Sequence, residues 1–150
     1  MNELVCTLFG MYCAAVVQDC PDLRVEDPWV RETPPKAEVQ AAYMTLVNDS
    51  DQELILTNVA APQFANAEFH RMSFEGEQMR MDAQPTVTVP ARGQLALEPG
   101  GYHVMLFKPD QRMRAGDTVH IRLQCGAGKN FIDAPVRKAG FTDSESHSDH

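Results

Sequence analysis

The sequence predicts an all-β protein with a single β-sandwich domain. From Leu23 onward, short apolar stretches alternate with clusters of glycine, proline and aspartate, a spacing typical of sandwiches and barrels. No stretch repeats apolar residues at helical spacing over three turns. The 150 residues have room for one domain with terminal extensions, and a hydrophobic content of 43% is enough for its core.

The first half of the domain contains five predicted strands, each bounded by turn residues. Pro28 breaks the first strand or places it at a sheet edge. A polar cluster from Asn48 to Asp51 ends the second strand, and the turn around Gly76 separates the last two. The predicted strands are Arg24–Val30, Gln40–Asn48, Glu53–Ala60, Ala67–Phe74 and Gln78–Asp82.

The second half contains five more predicted strands. Pro85 and Pro90 bound the first of them, and Pro99-Gly100-Gly101 forms a tight turn before the third. The predicted strands are Thr86–Val89, Gln94–Glu98, Tyr102–Phe107, Thr118–Cys125 and Phe131–Val136.

The chain divides into a leader (residues 1–22), a domain (23–138) and a tail (139–150). The leader is apolar from Leu4 to Val17, too short to span a bilayer but similar to the core of a secretory signal. The first positive charge in the chain is Arg24, so the leader lacks the basic start that is usual for a signal. A wrongly assigned start or a cytoplasmic leader are the alternatives. The tail from Thr142 to His150 has no apolar residue and is expected to be disordered.

The net charge of −8 argues against nucleic acid as a partner, because an acidic surface repels phosphates. The sequence contains no G-x-S-x-G, P-loop or H-E-x-x-H motif and no evident pair of carboxylates. We therefore expect a protein that is not an enzyme.

The four cysteines divide unevenly between leader and domain. Cys6, Cys13 and Cys20 fall in the leader at a regular spacing of seven, which on a helix would place them near one face and could suggest a thiol metal site. Cysteines scattered in a leader by chance are the better explanation. Cys125 is alone in the domain, so no disulfide is expected within it. Alternation along its strand places Cys125 on the inward face, which predicts a buried, unreactive thiol.

A metal site is indicated by His70, Met81, His103 and Met105. Two imidazoles and two thioethers suit a soft ion, and thioether sulfur favours Cu(I). Alternate residues of a strand share a face, so His103 and Met105 project from the side opposite the core residue Val104. Taken one by one, these residues are better explained as core-filling methionines and surface histidines. The joint spacing of all four favours the metal site.

The stretch from Ala67 to Lys108 resembles the periplasmic copper chaperone family PCuAC. The family signature is a histidine, ten residues, a methionine, twenty-one residues and His-x-Met, which His70, Met81, His103 and Met105 match. The resemblance extends over Leu23 to Lys138 and includes the approach Leu97-Glu98-Pro99-Gly100-Gly101 to the second histidine. Arg71 departs from the pattern, since some members have a methionine there, and Met72 or Met79 are the alternatives for that optional ligand.

The resemblance implies a cupredoxin-like β-sandwich that binds Cu(I) in the periplasm and transfers it by ligand exchange. The implied partner is a copper acceptor, such as the copper centre of cytochrome c oxidase subunit II, and the implied membrane association is through a signal segment alone. Blue-copper electron transfer is disfavoured, because it requires a cysteine thiolate and none is near His103.

Three other hypotheses remain open from the sequence. The domain could be an interaction module with an incidental Met/His cluster, or a copper storage or redox protein. His147 and His150 in the tail could bind Cu(II) or zinc weakly, although a solubilising tail or a chance pair explains them better. His120 alternates with inward-facing residues and is expected to face solvent.

Overall fold

The structure, a computed structural model, describes Cys20, residues 22–126 and residues 128–138. These residues form eleven strands without a helix, and so contain no helix capable of crossing a membrane. The strands are β1 (Leu23–Arg31), β2 (Val39–Asn48), β3 (Leu54–Leu56), β4 (Asn58–Ala60), β5 (Phe64–Glu75), β6 (Gln78–Gln84), β7 (Val87–Val89), β8 (Gly93–Leu97), β9 (Tyr102–Pro109), β10 (Thr118–Cys125) and β11 (Gly128–Arg137). The tail, Cys6 and Cys13 lie outside the described residues.

Nine strands form one sheet in the order β4-β10-β11-β1-β2-β8-β9-β5-β6, and β3 pairs with β7 in a small second sheet. Strand β2 also pairs with β9. Strand β4 contacts β5, so the sheet curls back on itself and encloses a single core. The prediction of an all-β sandwich is confirmed.

The core forms from the inward residues of alternating strands. On β10, Val119, Ile121 and Leu123 are at most 1% exposed, and on β9 the inward pair is Val104 and Leu106. Each such side chain stabilises the fold by about 1.5–3 kcal/mol relative to exposure. The opposite face of β9 is therefore available for other chemistry.

Most predicted strands occur with ends shifted by a few residues, but the predicted strand Glu53–Ala60 is wrong. It divides into β3 and β4, because the chain changes partners between them. β3 pairs with β7, whereas β4 pairs with β10. Thr57 lies at the change and donates its backbone N–H to the carbonyl of Gln124 at 2.9 Å.

The expectation that Cys125 is a free thiol is also wrong. Cys125 forms a disulfide with Cys20, with a Cα–Cα distance of 6.2 Å. A turn closed by the Leu23 N–H and the Cys20 carbonyl (3.0 Å) brings Cys20 to the end of β10. Asn130 holds this turn, accepting from the Cys20 N–H at 3.1 Å and donating to the Leu23 carbonyl at 3.2 Å. The bond ties the start of the domain to β10 across 105 residues of sequence.

Candidate metal centre

The four predicted ligands lie on adjacent strands and share the face opposite the core. His70 on β5 is directly opposite His103 on β9. Met105 is opposite Glu68, and Met81 on β6 is opposite Met72. Directly opposite residues of an antiparallel pair project from the same face. The sheet therefore brings all four side chains to one surface, with His70 on the middle strand.

The turn between β5 and β6 sets the position of Met81. Glu75 pairs with Gln78, so only Gly76 and Glu77 connect the two strands. Gly76 has φ +62°, a conformation that two-residue hairpin turns require and that glycine adopts without steric cost. Because side chains alternate, a shift of one residue would move Met81 to the opposite face. The turn therefore determines which side of the sheet carries the thioether.

The two histidine rings face each other and each has a buried nitrogen without a hydrogen-bond partner. Their centroids are 5.9 Å apart and their planes are inclined at 37°. The unpartnered atoms are Nδ1 of His70 and Nε2 of His103. A buried polar atom without a partner is costly and is rare in folded proteins. Two such atoms on facing rings fit a ligand that accepts nitrogen lone pairs.

Hydrogen bonding fixes the ring of His103. Its Nδ1 lies 3.3 Å from the carbonyl oxygen of Gly101, which can only accept, so Nδ1 carries the proton. In the neutral ring, Nε2 then holds the lone pair. Burial lowers the pKa of His103 from its usual 6.5, the bond to Gly101 opposes this, and the nearby His70 lowers the pKa further. The neutral form of His103, which is the form that a metal ligand requires, is therefore favoured.

The thioethers occupy diagonal positions around His70. On β6 the residue opposite His70 is Ala83, so Met81 is the diagonal neighbour, and Met105 is the diagonal neighbour on β9. Diagonal neighbours in a sheet lie about 7–8 Å apart, within reach of long side chains. Met81 is 44% exposed, whereas Met105 is half-buried. The centre therefore has a buried imidazole side and an open thioether side.

Two further methionines share this face. Met72 is half-buried and opposite Met81, and Met79 is 55% exposed and opposite Phe74. Both alternatives for the optional ligand thus lie beside the centre, with Met72 nearer to His70 along β5. Arg71 projects to the other face, where its guanidinium covers the ring of Tyr102.

Aromatic rings lie against the two histidines of the centre. Tyr43 lies 6.4 Å from the ring of His103 and stacks on Trp29, and Phe107 lies 5.9 Å from the ring of His70. Burial raises the pKa of Tyr43, so its hydroxyl stays neutral. Sequence reasoning missed these neighbours, although Phe107 follows His103 and Met105 at the same alternation.

Histidine and acidic side chains alone do not account for a metal site. In the described part of the chain, no group of three His, Cys, Asp or Glu side chains converges as a metal site. His120 is exposed, as expected, and its Nδ1 lies 2.7 Å from Asp133. It lines a cleft of about 570 Å³ that contains none of the four predicted ligands. His147 and His150 lie outside the described residues.

One protein family and one curated protein are similar to this chain in sequence. The LpqE-like family model, described as a lipoprotein family, matches residues 23–136. The uncharacterized protein RP573 of Rickettsia prowazekii is 26% identical over 98 residues, which are 63% of this chain and 54% of that protein. The chain thus spans about half the length of this curated relative.

Solved structures give a more specific likeness. The copper-bound PCuAC domain from PmoF2 is 24% identical with a TM-score of 0.67, covering 78% of this chain and 93% of that domain. The Cu(I) form of DR1885 from Deinococcus radiodurans is 34% identical with a TM-score of 0.63, covering 77% and 78%. The first match shows the fold, and the second shows a family relationship.

The fold defines the class: a cupredoxin-like β-sandwich domain with a histidine- and methionine-lined outer face. The chain belongs to the LpqE-like family and is related to DR1885. It has the fold of the PCuAC domains, which confirms the resemblance found in the sequence.

Proposed function

We propose that this protein is a Cu(I) chaperone that holds one ion with His70, Met81, His103 and Met105 and passes it to another protein. The observation that carries the proposal is the facing pair of buried, unpartnered nitrogens, Nδ1 of His70 and Nε2 of His103. Copper in the solved relatives, PmoF2 and DR1885, supports the choice of metal.

The ligand types favour the monovalent ion. Thioether and neutral imidazole add no anionic charge, and thioether sulfur selects Cu(I) over hard ions such as Mg²⁺ or Ca²⁺. Both cysteines of the described residues are in the disulfide, so neither supplies a thiolate to the site. A blue-copper site, which needs that thiolate, is accordingly not proposed.

The exposure of the site suits transfer by ligand exchange. His103 is 3% exposed, whereas Met81 is 44% exposed on β6, an edge strand of the sheet. An incoming ligand from an acceptor would approach from the Met81 side and replace one thioether while the imidazoles still hold the ion. No bond-making enzyme chemistry is needed for this step.

The acceptor we propose is the copper centre of cytochrome c oxidase subunit II, and the compartment is the periplasm. The acceptor follows from the resemblance to PCuAC chaperones. The Cys20–Cys125 disulfide supports the compartment, because such bonds persist in oxidising environments such as the bacterial periplasm.

An anaerobic transfer assay tests this function. The Cu(I)-loaded protein is mixed with the copper-free soluble domain of subunit II, the two are separated, and copper is measured in each. We expect copper to move to the acceptor, and His103→Ala, unable to hold the ion, to deliver none above a free-copper control. Retention of all copper by the wild type would contradict transfer to this acceptor.

A further inference from the structure

We propose that Glu68 is a positioning residue whose carboxylate orients the His70 ring, so that Nδ1 and not Nε2 faces the copper site. This inference rests on the proposed function for its copper readout. Its structural part concerns the metal-free protein and can be tested there.

The contact between the two side chains is direct. Nε2 of His70 lies 2.9 Å from Oε2 of Glu68. A carboxylate oxygen accepts hydrogen bonds and has none to donate, so Nε2 carries the proton. The lone pair is then on Nδ1, the buried atom without a partner. A carboxylate that holds the distal nitrogen of a histidine ligand is a recurring way to fix the ring and its tautomer.

The carboxylate of Glu68 is itself held in place. Its other oxygen, Oε1, accepts from Nδ2 of Asn66 at 3.1 Å. Asn66, Glu68 and His70 alternate along β5 and share one face. The strand geometry therefore places the three side chains in a row of two hydrogen bonds. Glu68 is opposite Met105, which places a negative charge beside the ligand set without making it a ligand.

The two histidines are consequently held through different ring nitrogens. His103 is held through Nδ1 by the Gly101 carbonyl and presents Nε2, whereas His70 is held through Nε2 by Glu68 and presents Nδ1. If Glu68 is removed, the His70 ring can rotate and offer either nitrogen. The mixed pair of coordinating nitrogens is therefore a specific consequence of this carboxylate.

Nitrogen NMR of the imidazoles shows directly which ring nitrogen carries the proton. Long-range ¹⁵N–¹H spectra of the full chain are recorded without metal and with one equivalent of Cu(I), for the wild type, Glu68→Ala and Glu68→Gln. We expect the metal-free wild type to show His70 protonated at Nε2, and Cu(I) to shift Nδ1. Glu68→Ala should show both nitrogens in mixed states. Glu68→Gln should restore the wild-type pattern, because its amide oxygen also accepts.

Cu(I) affinity provides the second readout. Loss of an outer partner of a metal ligand typically weakens binding by about 10–100-fold, which we expect for Glu68→Ala with unchanged melting temperature. Glu75→Ala removes a similar charge from a residue paired with Arg80 on the other face, and should leave affinity unchanged. It controls for net charge.

The outcomes separate the two proposals. Coordination through Nε2 in the wild type, or a Glu68→Ala variant with wild-type spectra, would overturn the role of Glu68. If the wild type binds no Cu(I), the proposed function fails, and the metal-free spectra still decide which nitrogen Glu68 holds.

Discussion

His70 and His103 lie directly opposite each other on β5 and β9, with ring centroids 5.9 Å apart and one unpartnered buried nitrogen on each. They are 33 residues apart in sequence, so the register of two strands alone creates this pair.

Replacing Met81 by leucine should weaken Cu(I) binding while leaving the fold intact. Leucine has a similar volume but no sulfur, and at an exposed position this exchange changes stability by about 0.5 kcal/mol or less. Met79→Leu is the comparison variant, since Met79 is also exposed and lies on the same strand, two residues further from His70. It should weaken Cu(I) binding less than Met81→Leu. A Met81→Leu variant with the Cu(I) affinity of the wild type in a competition titration would remove Met81 from the ligand set.

Acid should destabilise the metal-free protein through His103. Burial holds the pKa of His103 in the folded state below its unfolded value of about 6.5. The unfolded chain therefore binds a proton first as the pH falls. The free energy of unfolding is unaffected by this group above about pH 6.5 and decreases below it, until the folded pKa is reached. Urea unfolding from pH 7.5 to 5 measures this loss, and His103→Gln should reduce it.

Cu(I) affinity should also fall in acid, because a proton on Nε2 of His103 excludes the metal. The lowered pKa moves the onset of that competition below the range of an ordinary histidine. Competition titrations at pH 7.5, 6.5 and 5 measure it. Constant affinity down to pH 5 would count against His103 as a ligand.

The sequence was sufficient for the fold class, most strands and the face shared by His103 and Met105, because strand alternation is a local property. It was not sufficient for the disulfide, because pairing Cys20 with Cys125 depends on a turn that returns the chain to β10. The division of the predicted strand at Thr57 likewise depends on which strands are neighbours. Glu68 was visible two residues before His70, but its role required the contact distance.

Breaking the disulfide should lower the free energy of unfolding by roughly 2–5 kcal/mol, because the bond closes a loop of 105 residues. Cys125→Ala can be compared with the wild type before and after reduction in thermal melts. The reduced wild type should match the variant. A variant as stable as the oxidised protein, or a mass spectrum of the oxidised protein without a cross-linked peptide, would contradict the bond.

The turn at Gly76 should be sensitive to side-chain shape. Its φ of +62° disfavours a β-branched residue, so Gly76→Val should cost about 1–2 kcal/mol of stability and weaken Cu(I) binding by displacing Met81. Gly76→Asn is the control, because asparagine tolerates this conformation better. If the valine variant bound Cu(I) as the asparagine variant does, the turn would not be setting the position of Met81.

The central claim is that two imidazoles and two thioethers converge on one Cu(I). The most direct measurement is an anaerobic Cu(I) titration against a competing chelator, with the wild type and a His103→Ala, Met105→Ala double variant. We expect one tightly bound Cu(I) per wild-type chain and loss of that binding in a double variant that remains folded. Identical titration curves for the two proteins would contradict it.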